Sequence, residues 1–280
     1  AGDCCAPKLL QHAYLNRMRP VCMAEFWWGE SPKGEVRHHL HFYPACRGKC
    51  LPILGHMLQG LEVEKGSPEA AVSEPLEIVY EDDWLAVVNK PAGMKSVPGR
   101  SGGESVLEDM RRRHPDKPQL TLVHRLDMDT SGLLIVAFDM ATYKKLQAQF
   151  LRREVRKRYV ALLDGVPSRP MHGEIKLPMR PDPLDRPYQK VDLANGKEAV
   201  TESRILEPQG NPTRVALFPH TGRPPQLRLH CAHAAGLAAP ILGDRLYGHG
   251  RGRLCLHAEQ LEFTHPVTGK TMKFERRAEF

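Results

Sequence analysis

Nowhere does the chain run on in apolar residues for the roughly eighteen positions that a membrane-spanning helix needs. Its opening, AGDCCAPKLLQ, also lacks the basic-then-apolar order of a secretory signal. Both absences lead to the expectation of a cytoplasmic protein. No internal repeat or low-complexity tract is present, so a solenoid or a biased tail is not its organising feature. Seven cysteines cannot all pair, and five of them (Cys4, Cys5, Cys22, Cys46 and Cys50) crowd into the first fifty residues. An odd, lopsided count in a cytosolic chain argues against a disulfide framework.

What the sequence does have is basic charge and enough length for one sizeable core. Its 280 residues carry 40 Lys and Arg against 33 Asp and Glu, a net charge of +7. Such a surplus favours a polyanionic partner, although many basic proteins bind no nucleic acid. Composition divides the chain into a Cys/His-rich extension over residues 1–60, a small, polar, acidic linker over 61–75, and a main domain over 76–280.

Within the main domain, LEIVYEDDWLAVVNK reads as two short strands joined at EDD, with a turn at Pro91 and Gly93. ESVLEDMRRRH and DMATYKKLQAQFLRR carry helical spacing, the second opening at Asp139 as N-cap. KRYVALLDG, GKEAVTESRILEP and TRVALFPH read as strands, PPQLRLHCAHAAG as a helix ending at Gly236, and LCLHAEQLEFTHP as a late strand pair. Strands and helices mix without a strict βαβ repeat, which predicts an α+β fold around a largely antiparallel sheet.

The segment TLVHRLDMDTSGLLIVAF, residues 121–138, sets His124, Arg125, Asp127 and Asp129 between two apolar runs. A polar loop held by two buried segments is where catalytic groups usually sit. Asp129 precedes Thr130, Ser131 and Gly132, whose amides it can take up as an Asx turn does, so it is expected to brace the loop. Asp127 has no such local donor. Aimed into a cleft, it needs a cationic partner to stay ionised; the alternative is an ordinary solvated aspartate.

HRLDMDTSGLL resembles the signature of the RluA-type pseudouridine synthases. VVNKPAG, SVPGR, KRYVALLDG, GKEAVTESRILE, HTGRPPQLRLH, PILGDRLYG and LCLHAEQLEFTHPVTGK follow in the family's order, so the resemblance spans roughly residues 76–280. Nothing in front resembles the S4 RNA-binding module that some relatives carry. The resemblance implies the pseudouridine synthase fold and an RNA uridine isomerase. Its targets would be stem-loops of tRNA (such as uridine 32) or of 23S rRNA (such as uridine 746). Breaking the C1′–N1 bond, rotating the enclosed base and rejoining it through C5 needs neither redox chemistry nor a cofactor, but does need an ionised carboxylate and a way to remove the C5 proton.

By that resemblance Asp127 is the catalytic aspartate, Tyr159 the active-site tyrosine that stacks on the base, and Arg228 the arginine that pairs with the carboxylate. Arg125 takes the stack position vacated when the uridine flips out. His124 is a more ambiguous RNA contact, equally readable as a histidine packed under the loop. Arg223, Lys144, Arg156, Lys157 and Arg158, within a run that includes Lys145, Arg152 and Arg153, are phosphate-contact candidates, with a solvated charged face as the alternative. Lys90 matches the family's Lys-Pro pair at the cleft floor. The chain departs from the family at Lys95, at Pro224–Pro225 and at Ala239. A competing reading is therefore a member of the same fold with weak catalysis, or an RNA-binding or assembly module recruited through its cysteine-rich front. That front offers Cys4, Cys5, Cys46 and Cys50 as a structural zinc set, against which adjacent cysteines make awkward ligand pairs and buried free thiols are the alternative.

Overall fold

A computed structural model of the chain describes residues 5–23, 25–30, 50–61, 75–99, 104–168, 172–182, 188–207, 211–250 and 252–280. They belong to two compact units, a small one within Ala1–Glu69 and a large one made of Ala70–Asp182 and Pro187–Phe280. Most of the expected 61–75 linker lies outside the described residues. In the small unit, α1 (Cys5–Leu15) and α2 (Cys50–Met57) bring Ala6, Leu10 and Leu54 into a minor cluster.

The large unit carries β1 (Glu77–Glu81), β2 (Leu85–Lys90), α3 (Val106–Arg113), β3 (Thr121–Leu122), β4 (Ser131–Ala137), α4 (Met140–Leu151), β5 (Arg156–Leu163) and β6 (His172–Lys176). It continues with β7 (Met179–Pro181), β8 (Gln189–Val191), β9 (Val200–Ile205), β10 (Thr213–Pro219), α5 (Gln226–Ala232), β11 (Leu256–Thr264) and β12 (Thr271–Glu275). Among the described residues the main sheet runs β1-β2-β4-β11-β5-β10-β9-β6, with β12 on β11 and β3 on β4. Its pairings are antiparallel except β4 with β11. The architecture is α+β, as the sequence predicts.

β4 decides where the core lies. All seven of its residues are buried, and the two-residue period sends Leu134 and Val136 to one face and Leu133, Ile135 and Ala137 to the other. β2 divides the same way, Ala86 and Val88 against Leu85 and Val87. Strands apolar on both faces require cover on both. α3 supplies Val106, Leu107 and Met110 to the first face, and α4 supplies Leu146 to the second. Ser105 and Asp139 cap these helices, each accepting amide bonds from the first turn. Each buried Leu or Ile contributes about 1.5–3 kcal/mol, so β4 is a rigid support for whatever precedes it. A third cluster gathers β5, β10 and α5, and Tyr159 touches both it and the first.

Two expected elements differ. The PPQLRLHCAHAAG helix stops at Ala232, with His233 already extended at ψ 138°. Gly236 serves a close approach instead, since a Cβ there would lie 1.9 Å from the His230 carbonyl oxygen. LCLHAEQLEFTHP supplies the single strand β11, with a register shift between Ala258 and Gln260, and its hairpin partner β12 follows later. The irregularity that resembles a strand break is a bulge within one strand.

Candidate active site

The loop between β3 and β4 is gripped on both sides of Asp127. Before it, the Ser96 hydroxyl accepts from the Leu126 amide at 3.1 Å and donates to the Leu126 carbonyl at 2.7 Å. After it, the Met128 carbonyl accepts from the Gly93 amide at 2.9 Å and from Lys90 Nζ at 2.8 Å. Lys90, fully buried, also donates to the carbonyls of Pro91 and Met94 at 2.9 and 2.7 Å. An ammonium has three donors, and all three are used here. Burial pulls Lys90 down to about 7, against the opposing pull of Asp129 and then Asp127. The expected brace is thus reassigned: no described amide donates to the Asp129 carboxylate, and Lys90 with Ser96 does that work from the neighbouring segment. At the Lys95 departure, the Lys95 and Ser96 carbonyls accept the amides of Val106 and Leu107 at 2.9 and 3.1 Å.

Asp127 faces a cavity of about 280 Å³ together with Tyr159, Arg228 and Leu256. Its carboxylate accepts no hydrogen bond from any described residue. Burial raises its pKa, opposed by Arg228, Arg125 and Lys90 in that order and reinforced by Asp129. Arg228 is buried too, and its direct partner is Asp244: Nε to Oδ2 at 2.9 Å and Nη2 to Oδ1 at 2.5 Å. The expected pairing of Arg228 with Asp127 is therefore corrected; Asp127 feels the guanidinium across space while Asp244 holds its fork. Burial works against the arginine's charge, and Asp244 then Asp127 and Asp129 outweigh it, raising its pKa. Burial followed by the Asp127 charge pushes the Tyr159 phenol up. A carboxylate, a phenol and a buried guanidinium lining one cavity suit acid–base work on a flat, uncharged ring.

The basic residues sort by strand alternation. In RKRY, Lys157 and Tyr159 share the face that lines the cavity, whereas Arg156 and Arg158 lie on the other and pair with Glu262 at 3.6 Å and Glu259 at 3.1 Å. Arg156 and Arg158 are thus engaged by acids, and Lys144 lies exposed on α4 outside the cavity wall. Arg125 and Arg223 are exposed, line the cavity, and form no ion pair with a described residue. His124 is committed to packing: Nε2 accepts the Ile135 amide at 3.2 Å, its ring lies 4.8 Å from that of Phe150, and burial followed by Lys157 lowers its pKa to about 3. A neutral ring supplies no charge to a phosphate, so His124 contributes cavity wall.

Asp244 is the residue that sequence reasoning passed over; its signal was only its place in PILGDRLYG. Gln226 is another, its amide buried and bonded to Thr221, Val200 and Thr201 while accepting the Arg223 amide, so that it fixes the turn carrying Arg223. The zinc reading gains no support. Cys4 and Cys46 lie outside the described residues, and among the described residues no three His, Cys, Asp or Glu side chains converge to hold a metal. Nor is any helix among them long and apolar enough to cross a membrane.

Comparison with known proteins bears on the family to which this chain belongs. Residues 84–233 match the family described as RNA pseudouridylate synthase. The chain is 46% identical over 213 residues to the dual-specificity RNA pseudouridine synthase RluA of Escherichia coli K12, covering 73% of this chain and 94% of the relative. The protein of the same description from Haemophilus influenzae is 43% identical over 217 residues, with the same coverage. Among solved structures, human RNA pseudouridylate synthase domain containing 1 superposes with a TM-score of 0.61 at 30% identity, covering 78% of this chain and 87% of that one. A sequence that keeps this identity across nearly the whole of a relative, and folds its signature loop into a clamped carboxylate, belongs to the RNA pseudouridylate synthase family as an RluA-type member.

Proposed function

We propose that the chain isomerises a uridine within an RNA stem-loop to pseudouridine, with Asp127 acting on the sugar or base, Tyr159 stacking on the base and handling the C5 proton, and Arg228 keeping Asp127 ionised. Arg125, exposed beside Asp127, fills the stack left by the extruded nucleotide. The observation that carries the reading is the Asp127 carboxylate, fixed through both neighbouring residues yet itself without a hydrogen bond from any described residue, in a cavity next to a buried guanidinium. A carboxylate so held is available to substrate and to little else.

The names of the relatives describe dual-specificity RNA enzymes and support more than one RNA as substrate; the resemblance of the HRLDMDTSGLL motif points more finely to stem-loops of tRNA and large-subunit rRNA, with tRNA uridine 32 and 23S rRNA uridine 746 as the finest assignment. The test is to incubate the protein with unmodified tRNA and 23S rRNA transcripts and map pseudouridine by carbodiimide-blocked primer extension. Stops at those positions that vanish in Asp127→Ala are expected. RNA binding without any stop from wild type would leave a binding module in place of an isomerase.

A further inference from the structure

The cavity has a second, cationic end that the isomerisation leaves unused. Lys157 lines it, and no described carboxylate pairs with Lys157, whereas Arg156 and Arg158 on either side each have one. Its Nζ stands 5.9 Å from the Phe150 ring centroid, and a Cβ built on Gly222 would lie 4.0 Å from it. The Gly222 amide donates to no described residue, and Arg223, also without an acid partner, follows it in the turn that Gln226 holds. The charges acting on Asp127 are those of Arg228, Arg125, Lys90 and Asp129, while the charge of Lys157 acts on His124.

A half-buried lysine without a described counter-ion has given up water for no more than the face of one aromatic ring; burial accordingly lowers its pKa. Such a site is completed by an anion brought from outside. We propose that Lys157, with the Gly222–Arg223 turn, is the binding site for a backbone phosphodiester adjoining the target uridine, so that the nucleotide enters as base toward Asp127 and Tyr159 and phosphate toward Lys157. A tetrahedral phosphodiester monoanion fits a lysine point charge plus an amide and an exposed arginine. The proposal rests on the isomerase reading, for it takes the flipped nucleotide to occupy this cavity.

The experiment uses a stem-loop RNA on which a modified uridine has been mapped, with a neutral methylphosphonate placed in the linkage 5′ or 3′ to that uridine, against wild type, Lys157→Met and Lys157→Arg. Lys157→Met keeps an apolar stem over Phe150 and removes only charge. It is expected to raise the RNA concentration for half-maximal single-turnover rate about 10-fold or more, as loss of a charge-assisted hydrogen bond does, and to flatten the log Kd against log salt slope by about 1. Lys157→Arg is expected to recover most of both. One of the two methylphosphonates is expected to weaken wild type by a similar factor and leave Lys157→Met unaffected. An unchanged half-saturation and salt slope in Lys157→Met overturns the site, as do methylphosphonate penalties that persist undiminished in that variant. If wild type modifies no RNA, the isomerase reading fails, and affinity and salt slope on the unmodified tRNA transcript, wild type against Lys157→Met, still decide whether Lys157 holds a phosphate.

Discussion

The Arg228 guanidinium is locked by Asp244 through two parallel hydrogen bonds, and Asp244, with no exposed surface, also accepts the amides of Leu246 and Tyr247 at 2.7 and 3.0 Å. The carboxylate thus ties α5 to the turn after Ile241 and sets where the arginine's charge is felt. Breaking such a buried pair costs more than the pair contributes, because the surviving charge is left without a partner. Asp244→Asn is expected to lower stability by about 3–5 kcal/mol in urea unfolding and to reduce the saturating rate more than it alters half-saturation. Unchanged unfolding would show that Arg228 finds another partner at no cost.

Asp127 must be ionised to act, and its folded pKa is raised, so the acid limb of the rate profile lies above the ordinary carboxylate range. Arg125 opposes that rise; removing its charge in Arg125→Met is expected to move the limb to still higher pH, alongside weaker RNA binding. Asp127→Asn is expected to abolish pseudouridine formation while RNA affinity, read by filter binding, stays close to wild type. A limb that does not move in Arg125→Met counts against the electrostatic account.

Lys90→Met would leave the carbonyls of Pro91, Met94 and Met128 without their donor. With each orphaned group costing about 1–3 kcal/mol, a loss of about 3 kcal/mol or more is expected in chemical denaturation, together with a fall in turnover as the Asp127 loop loosens. Ser96→Ala, which frees Leu126 alone, is expected to cost less stability.

Gly132 lies at φ +117°, where a Cβ would come within 2.4–2.8 Å of the Ala258 backbone. That approach is the parallel contact of β4 with β11. Gly132→Ala therefore forces the two strands apart and is expected to destabilise by about 3 kcal/mol or more, read as a lowered Tm.

Acid should weaken the fold well before carboxylates titrate. Burial is the first cause of depressed pKa values at His124, to about 3, and at His230, to about 4, and it also lowers His257. Below the unfolded value of about 6.5 the unfolded chain binds protons that the folded chain refuses, so stability rises with pH in that window and is fully present above it. A urea midpoint lower at pH 5 than at pH 7.5 is expected, with a shallower dependence in His124→Gln. Equal midpoints at both pH values would contradict it.

Much of the site was legible along the chain because strand alternation and short motifs are local. SGLLIVA is a strand that only an interior position can satisfy, whereas RKRY, taken along the chain as one basic run, is divided by the strand's period of two into Lys157 and Tyr159 on one face and Arg156 and Arg158 on the other. The helix end near Gly236 and the late hairpin were misplaced because a glycine needed for close approach and a bulge resemble a cap and a break in one dimension. Asp129 was given a brace's task because it had donors nearby in sequence, while its competitor, Lys90, is thirty-eight residues from the carbonyl it holds.

The sequence by itself determined the α+β class, from its mixture of strand-like and helix-like segments, and, through the resemblance of its motifs to a known family, the family and Asp127, Tyr159 and Arg228 as the residues to examine. Only the tertiary structure decided who holds whom: Asp244 on Arg228, Lys90 and Ser96 on the Asp127 loop, and, among the described residues, acids on Arg156 and Arg158 but not on Lys157. The physical reason is that hydrogen bonds and ion pairs act over a few ångströms of space and are blind to separation along the chain.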